Sequence, residues 1–247
     1  MKIKGNTILI TGGATGIGFA LAEAFINAGN KVIICGRRAA KLAEAKKKLP
    51  QIATKQCDLS KKDERELFCN WVKENYPDLN IVINNAGVQR FIELKKGTTK
   101  LFAGEDEIQT NLAAPIHLSA YFALLLAKKK DAAIINVSSG LGFVPIAAMP
   151  VYCATKAGVH SFTVSLRHQL KDTSVKVFEI VPPAVDTELG GGSASEEYKG
   201  IPTSDVAAAT MKALAKDKYE IIVGEARNLV SGSKKNFAKA FEELNSW

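Results

Sequence analysis

Tyr152 and Lys156 stand four residues apart in Tyr152-Cys153-Ala154-Thr155-Lys156, a spacing that puts both side chains on one face of a helix. A free phenol titrates near pH 10, too high for an efficient base at neutrality, and a lysine cation beside it favours the phenolate. Such a pair suits proton transfer, although alone it is also an ordinary feature of a helix surface. A second stretch, Thr11-Gly12-Gly13-Ala14-Thr15-Gly16-Ile17-Gly18, suits phosphate. Its glycines allow a tight turn, close approach of a pyrophosphate and close helix-to-sheet packing, and a helix N-terminus beyond it offers free N–H groups.

These residues need a scaffold, and the chain alternates strand and helix signals. Thr7-Ile8-Leu9-Ile10 reads as a strand. Ile17, Ala20, Leu21, Ala24 and Ala28 then recur at helical spacing, closed by Gly29-Asn30. Lys31 to Cys35 is a second strand, followed by a lysine-rich helix to Leu49 that Pro50 stops. Ala53 to Cys57, Leu79 to Ile83, Ala132 to Val137, Val175 to Val181 and Tyr219 to Val223 complete seven strands. Helices are expected after Ser60, which caps with Asp63 three residues on, and over Asp106 to Lys128, Tyr152 to Leu170 and Asp205 to Ala215. Near-continuous apolar strands alternating with helices predict an α/β, doubly wound Rossmann-type parallel sheet with helices on both faces. No linker or repeat divides the chain, so one domain over residues 1–247 is expected. The glycine-rich stretch Glu188 to Gly200 reads as an excursion and predicts a substrate lid over 188–203, with Gly190 to Gly192 in its hinge and Leu189 and Tyr198 as its apolar contacts. A disordered loop without a role is the alternative.

The end of the second strand bears on the nucleotide. An acid about 20 residues beyond the glycines would hold the ribose hydroxyls of NAD. Here Gly36 stands in that place, followed by Arg37 and Arg38, which suit a 2′-phosphate. NADP(H) is therefore the expected cofactor and NAD(H) the second choice.

The glycine spacing TGxxxGxG resembles that of the short-chain dehydrogenase/reductase family, and the resemblance runs over nearly the whole chain. Asp58-Leu59 matches the aspartate after the third strand, Asn84-Asn85-Ala86-Gly87 the NNAG motif, Asn111 the asparagine within a helix, and Ser138-Ser139 the end of the fifth strand. Tyr152 to Lys156 matches YxxxK, and Pro182 to Thr187 resembles the PGxxxT region. Within the family the chain most resembles the DltE-like bacterial oxidoreductases. The resemblance implies hydride transfer between NADP(H) and a carbonyl or alcohol. It implies Tyr152 as acid/base, Ser139 as hydrogen-bond donor to the substrate oxygen, Lys156 on the nicotinamide ribose and Asn111 supporting a water beside it. It implies cofactor contacts at Gly12, Thr15, Gly16, Ile17, Gly18, Asp58 on the adenine, Leu59, Asn85, Ala86, Gly87, Pro182, Val185 and Thr187, and a homo-oligomer, dimer or tetramer. Pro183 departs from the family's glycine and puts the contacts of Val185 and Thr187 in question.

Composition narrows the alternatives. Net charge is +8, but the lysines are scattered in short clusters, mostly at expected helix ends, so neither nucleic acid nor an integral membrane partner is expected. The N-terminal residues turn polar at once, which predicts a cytoplasmic protein. Cys35, Cys57, Cys69 and Cys153 lack metal spacing and read as reduced apolar residues, and His117, His160 and His168 as plain helix residues, so no metal is expected. The second functional reading is a nucleotide-binding regulator that keeps the fold with little turnover.

Overall fold

The structure is a computed structural model that describes residues 1–98, 101, 106–189 and 200–246. Seven strands, β1 (Thr7–Thr11), β2 (Lys31–Gly36), β3 (Ala53–Gln56), β4 (Ile81–Asn84), β5 (Ala132–Val137), β6 (Val175–Val181) and β7 (Glu220–Ile222), form one sheet in the order β3-β2-β1-β4-β5-β6-β7. Every pairing is parallel. Helices α1 (Gly16–Asn27), α2 (Ala39–Lys48) and α6 (Thr203–Ala215) cover one face; α3 (Lys62–Asn75), α4 (Ala114–Leu126) and α5 (Pro150–Gln169) cover the other. Alternation along each strand feeds both layers: Ile8 and Ile10 pack with α1 and α6, whereas Leu9 packs with α3 and α4. That is why the strands read as unbroken apolar runs. This is the doubly wound Rossmann-type fold expected from the sequence.

The structure adds local detail to this pattern. Ser60 does not cap α3; its N–H and hydroxyl both donate to Asp58, at 3.0 and 2.7 Å, and Lys61 takes the N-cap position. Lys61 and Lys62 thus sit at the positive end of a helix, and pairing with Glu64 and Glu66 offsets this. The helix expected over Asp106 to Lys128 is interrupted by a π turn at Gln109–Ala113 before α4 begins. Two further helices, α7 (Ala226–Lys235) and α8 (Phe237–Leu244), follow β7, and the stripe Phe237, Ala240, Phe241, Leu244 lies on α8. Of the expected lid, residues 190–199, including the glycine triplet and Tyr198, lie outside the described residues.

A buried polar ladder fixes the helices that carry the site. Asn84 on β4 donates to Ser119 of α4 at 3.0 Å and to Asn136 of β5 at 2.8 Å. Asn136 in turn donates to Thr163 of α5 at 2.9 Å. Asn136, Ser119 and Thr163 are fully buried, so water cannot replace a lost partner. Asn136→Ala is expected to lower unfolding free energy by roughly 3 kcal/mol, since it strands Asn84 and Thr163. Urea denaturation checks this, with a reduced midpoint at unchanged slope.

Candidate active site

The site begins where β1 and β4 meet. Asn85 donates its amide to the carbonyls of Thr11 and Gly12 at 2.9 and 3.3 Å, while the Thr11 hydroxyl accepts the Asn85 and Ala86 N–H groups, both at 3.0 Å. The two loops are thereby laced together with no room for side chains. Gly12 has φ of +63°, and a Cβ there would lie 2.8 Å from the Ala86 Cα; a Cβ on Gly18 would lie 2.4 Å from the Gly12 carbonyl oxygen. Thr15, Gly16 and Ile17 open α1 onto a cleft of about 510 Å³. The cleft follows the carboxyl ends of the strands, as ligand sites in such sheets do.

At one end it is lined by Gly36, Arg37, Arg38, Asp58 and Leu59, as the sequence suggests, and also by Lys41, one turn into α2. Lys41 was readable as a third cation three residues after Arg38. Arg38 donates to Glu188 at 2.8 Å and to the Thr15 hydroxyl at 3.3 Å, and Lys41 pairs with Glu188 at 3.0 Å. No sequence signal announced Glu188, which reaches this corner from 150 residues away along the chain. These cations, with the hydrogen bonds they donate, hold the Glu188 carboxyl below its usual range. For Asp58, burial raises the carboxyl pKa, but the two Ser60 bonds outweigh it and lower it overall.

At the other end stand Tyr152 and Lys156, with Pro182 and Thr187 close by. Burial pushes the Tyr152 phenol up to about 12, against a lowering hydrogen bond from Ser139. Burial pulls the Lys156 ammonium down to about 8. The Lys156 Nζ lies 5.7 Å from the Tyr152 ring centre and donates to the Val137 carbonyl at 2.8 Å. A lysine cation beside a phenol lowers its pKa, as expected from the sequence, but desolvation dominates both groups here. The Ser138 hydroxyl turns to Glu179, while the Ser139 hydroxyl accepts from Leu141 N–H at 3.1 Å; Ser138, not Ser139, lines the cleft. Asn111, in the π turn, accepts from Val88 N–H and donates to the Val88 carbonyl, both at 2.8 Å, and donates to Thr155 at 3.2 Å.

Val185 stands apart from the cleft lining. It bridges to Ile201 and packs on the core, while Pro183 lies against Gly224. Val88, Gln89, Arg90 and Thr110 line the cleft without having been singled out. Arg90 is held by the buried Glu107 at 3.2 Å. Among the described residues no three His, Cys, Asp or Glu side chains gather as a metal site, and no helix is long and apolar enough to cross a membrane.

The sequence model of the short chain dehydrogenase family matches residues 6–197. This chain belongs to the short-chain dehydrogenase family. It is 47% identical over 249 residues to the uncharacterized oxidoreductase DltE of Bacillus subtilis, covering all of this chain and 99% of that one. In fold, this dehydrogenase is similar to a short-chain dehydrogenase/reductase from Burkholderia phymatum in complex with NAD (TM-score 0.85, 20% identity, 99% and 97% of the two chains). It is likewise similar to one from Burkholderia cenocepacia in complex with NADP (TM-score 0.82, 24% identity, 99% of each).

The depressed Lys156 carries a stability consequence for this dehydrogenase. Its folded pKa of about 8 lies below that of an unfolded lysine, so the unfolded state holds the extra proton between the two values. The penalty is full below about pH 8 and disappears as pH rises past about 10.4. Lys156→Met is therefore expected to stabilise the cofactor-free protein by roughly 1–3 kcal/mol at neutral pH. The gain should shrink in denaturation curves taken at rising pH.

Proposed function

We propose that this oxidoreductase prefers NADP(H) and interconverts a small carbonyl compound and its alcohol in the cytosol. One observation carries the proposal: a single cleft has a cation cluster, Arg37, Arg38 and Lys41, at one end and Tyr152 with Lys156 at the other. The residues present fit a dinucleotide. Thr15, Gly16 and Ile17 bring the start of α1 to the cleft, where first-turn N–H groups suit a pyrophosphate, and the cations suit a 2′-phosphate. The complexes of the two Burkholderia proteins with NAD and NADP support the same cofactor class. When bound, the nicotinamide supplies or accepts the hydride, since no side chain carries one.

The chain's own residues handle the proton. Tyr152, kept protonated by burial, gives its phenolic proton to the substrate oxygen during reduction and takes it back during oxidation. Ser139, near enough to lower the pKa of that phenol, steadies the same oxygen. Lys156 is held beside Tyr152 by the Val137 carbonyl, in position for a ribose hydroxyl. Asn111 locks the Val88 backbone against Thr155, which keeps the floor of the site in place. Gly12, Thr15, Gly16, Ile17, Asp58, Leu59, Asn85, Ala86, Gly87, Pro182 and Thr187 form the remaining cofactor cradle, while Gly18 packs behind Gly12 and Val185 on the core. Four buried thiols without a disulfide suit a reducing compartment. Exposed Ile116 and Leu124 on α4 and Val164 on α5 support pairing of two copies.

Tyr152→Phe is expected to reduce turnover by a factor on the order of 10² to 10⁴, while NADPH affinity measured by fluorescence hardly changes. Wild-type turnover in that variant, against a panel of aldehydes, ketones and alcohols, overturns the assignment. Arg37→Ala with Arg38→Ala is expected to weaken NADPH binding by roughly tenfold to a hundredfold and leave NADH binding unaltered. Equal affinity of the wild type for both nucleotides refutes the preference.

A further inference from the structure

Behind the cleft lies a buried carboxylate that the proton chemistry above does not use. Glu179 sits on β6, opposite Asn136 of β5, and is fully buried. Ser138 donates its hydroxyl to Glu179 Oε1 at 2.5 Å. His160 Nδ1 lies 2.9 Å from Oε2 and 3.1 Å from Oε1. His160 is two helical turns beyond Tyr152 and one beyond Lys156, on the same face of α5, with its ring 4.4 Å from that of Phe143. A buried carboxylate needs a compensating charge or several donors. Here the partners are one hydroxyl and one imidazole, and the imidazole is the only one able to carry charge.

The order of the three side chains excludes nucleophilic chemistry. The carboxylate lies between serine and histidine, so the Ser138 hydroxyl points at an acceptor that cannot relay its proton to the imidazole in the manner of a catalytic triad. What the carboxylate grips is the end of β5. Three consecutive residues there have three tasks: Val137 accepts from Lys156 through its carbonyl, Ser138 is tied to Glu179, and Ser139 stands near enough to Tyr152 to lower its pKa. The middle residue is therefore the anchor of the other two.

Given the acid/base reading of Tyr152, on which this rests, we propose that His160 and Glu179 are positioning residues that clamp Ser138 and so set Ser139, Tyr152 and Lys156 for proton transfer. The clamp is strongest when His160 is protonated. The hydrogen bond to Glu179 raises the His160 pKa; burial opposes it, Glu220 on β7 adds to it, and Arg167 on α5 subtracts. A raised folded pKa means that His160 holds its proton below that value and that the charge on the histidine is lost as pH rises through it.

His160→Gln and Glu179→Gln test the clamp in the full-length protein. In His160→Gln, kcat is expected to fall on the order of tenfold at about pH 6, with KM for NADPH unchanged, and the deficit should shrink as pH rises through the raised pKa of wild-type His160. By NMR on the cofactor-free wild type, His160 should titrate above the usual histidine range, and in Glu179→Gln it should fall back. Should Glu179→Gln fail to fold, His160→Gln, at a side chain 30% exposed, decides alone. If Tyr152→Phe loses turnover but His160→Gln matches wild type in kcat across the pH range, the clamp is wrong and the acid/base assignment stands. If Tyr152→Phe keeps its turnover, the acid/base assignment itself fails and the clamp falls with it.

Discussion

The lacing of β1 to β4 is the constraint from which the rest of the site follows. β1 pairs with β2 on one side and β4 on the other, so the connections leaving these strands diverge to opposite faces of the sheet. A crevice must open where they part. Thr11 and Asn85 hold its two lips together by side-chain-to-backbone hydrogen bonds, and only glycine fits between them at positions 12 and 18. A larger residue at either place would push the lips apart and lift α1 off the sheet, and the first-turn N–H groups with it.

Much of this was legible in the sequence because its causes are local. Apolar runs of strand length, helical stripes and a glycine turn report backbone geometry directly, and all seven strands lie within a few residues of where the pattern puts them. The fold is that of the short-chain dehydrogenases the motifs resemble. What escaped depends on contacts between distant residues. Glu188 meets Arg38 and Lys41 only after the chain has closed, and nothing at residue 188 foretells it. Ser60 could bond forward to α3 or back to Asp58, and local pattern cannot choose between them. His160, an unremarkable helix residue in sequence, acquires its partner from a strand 19 residues on.

Burial sets the chemical temper of the site more than any neighbouring charge does. Tyr152 and Lys156 are both enclosed, and enclosure disfavours the charged form of each, raising one pKa and lowering the other. In the cofactor-free protein the phenol is neutral and the ammonium only loosely committed to its proton. The same enclosure keeps solvent from competing for the hydrogen bond that Lys156 donates to Val137.

The π turn at Gln109–Ala113 makes this part of the chain intolerant of a change in length. A π turn accommodates an extra residue in a helix, at the expense of ordinary helical hydrogen bonding. Removing one residue would restore regular winding but swing the side chains on one side of the cut by roughly 100° about the axis. Asn111 would then leave Val88 and Thr155, although every remaining residue type stayed the same. Substitution and deletion thus face different rules here: the turn can absorb many changes of side chain, but a single-residue gap breaks the phase between the two halves of the helix. Relatives of any sequence are expected to keep the residue count across this stretch.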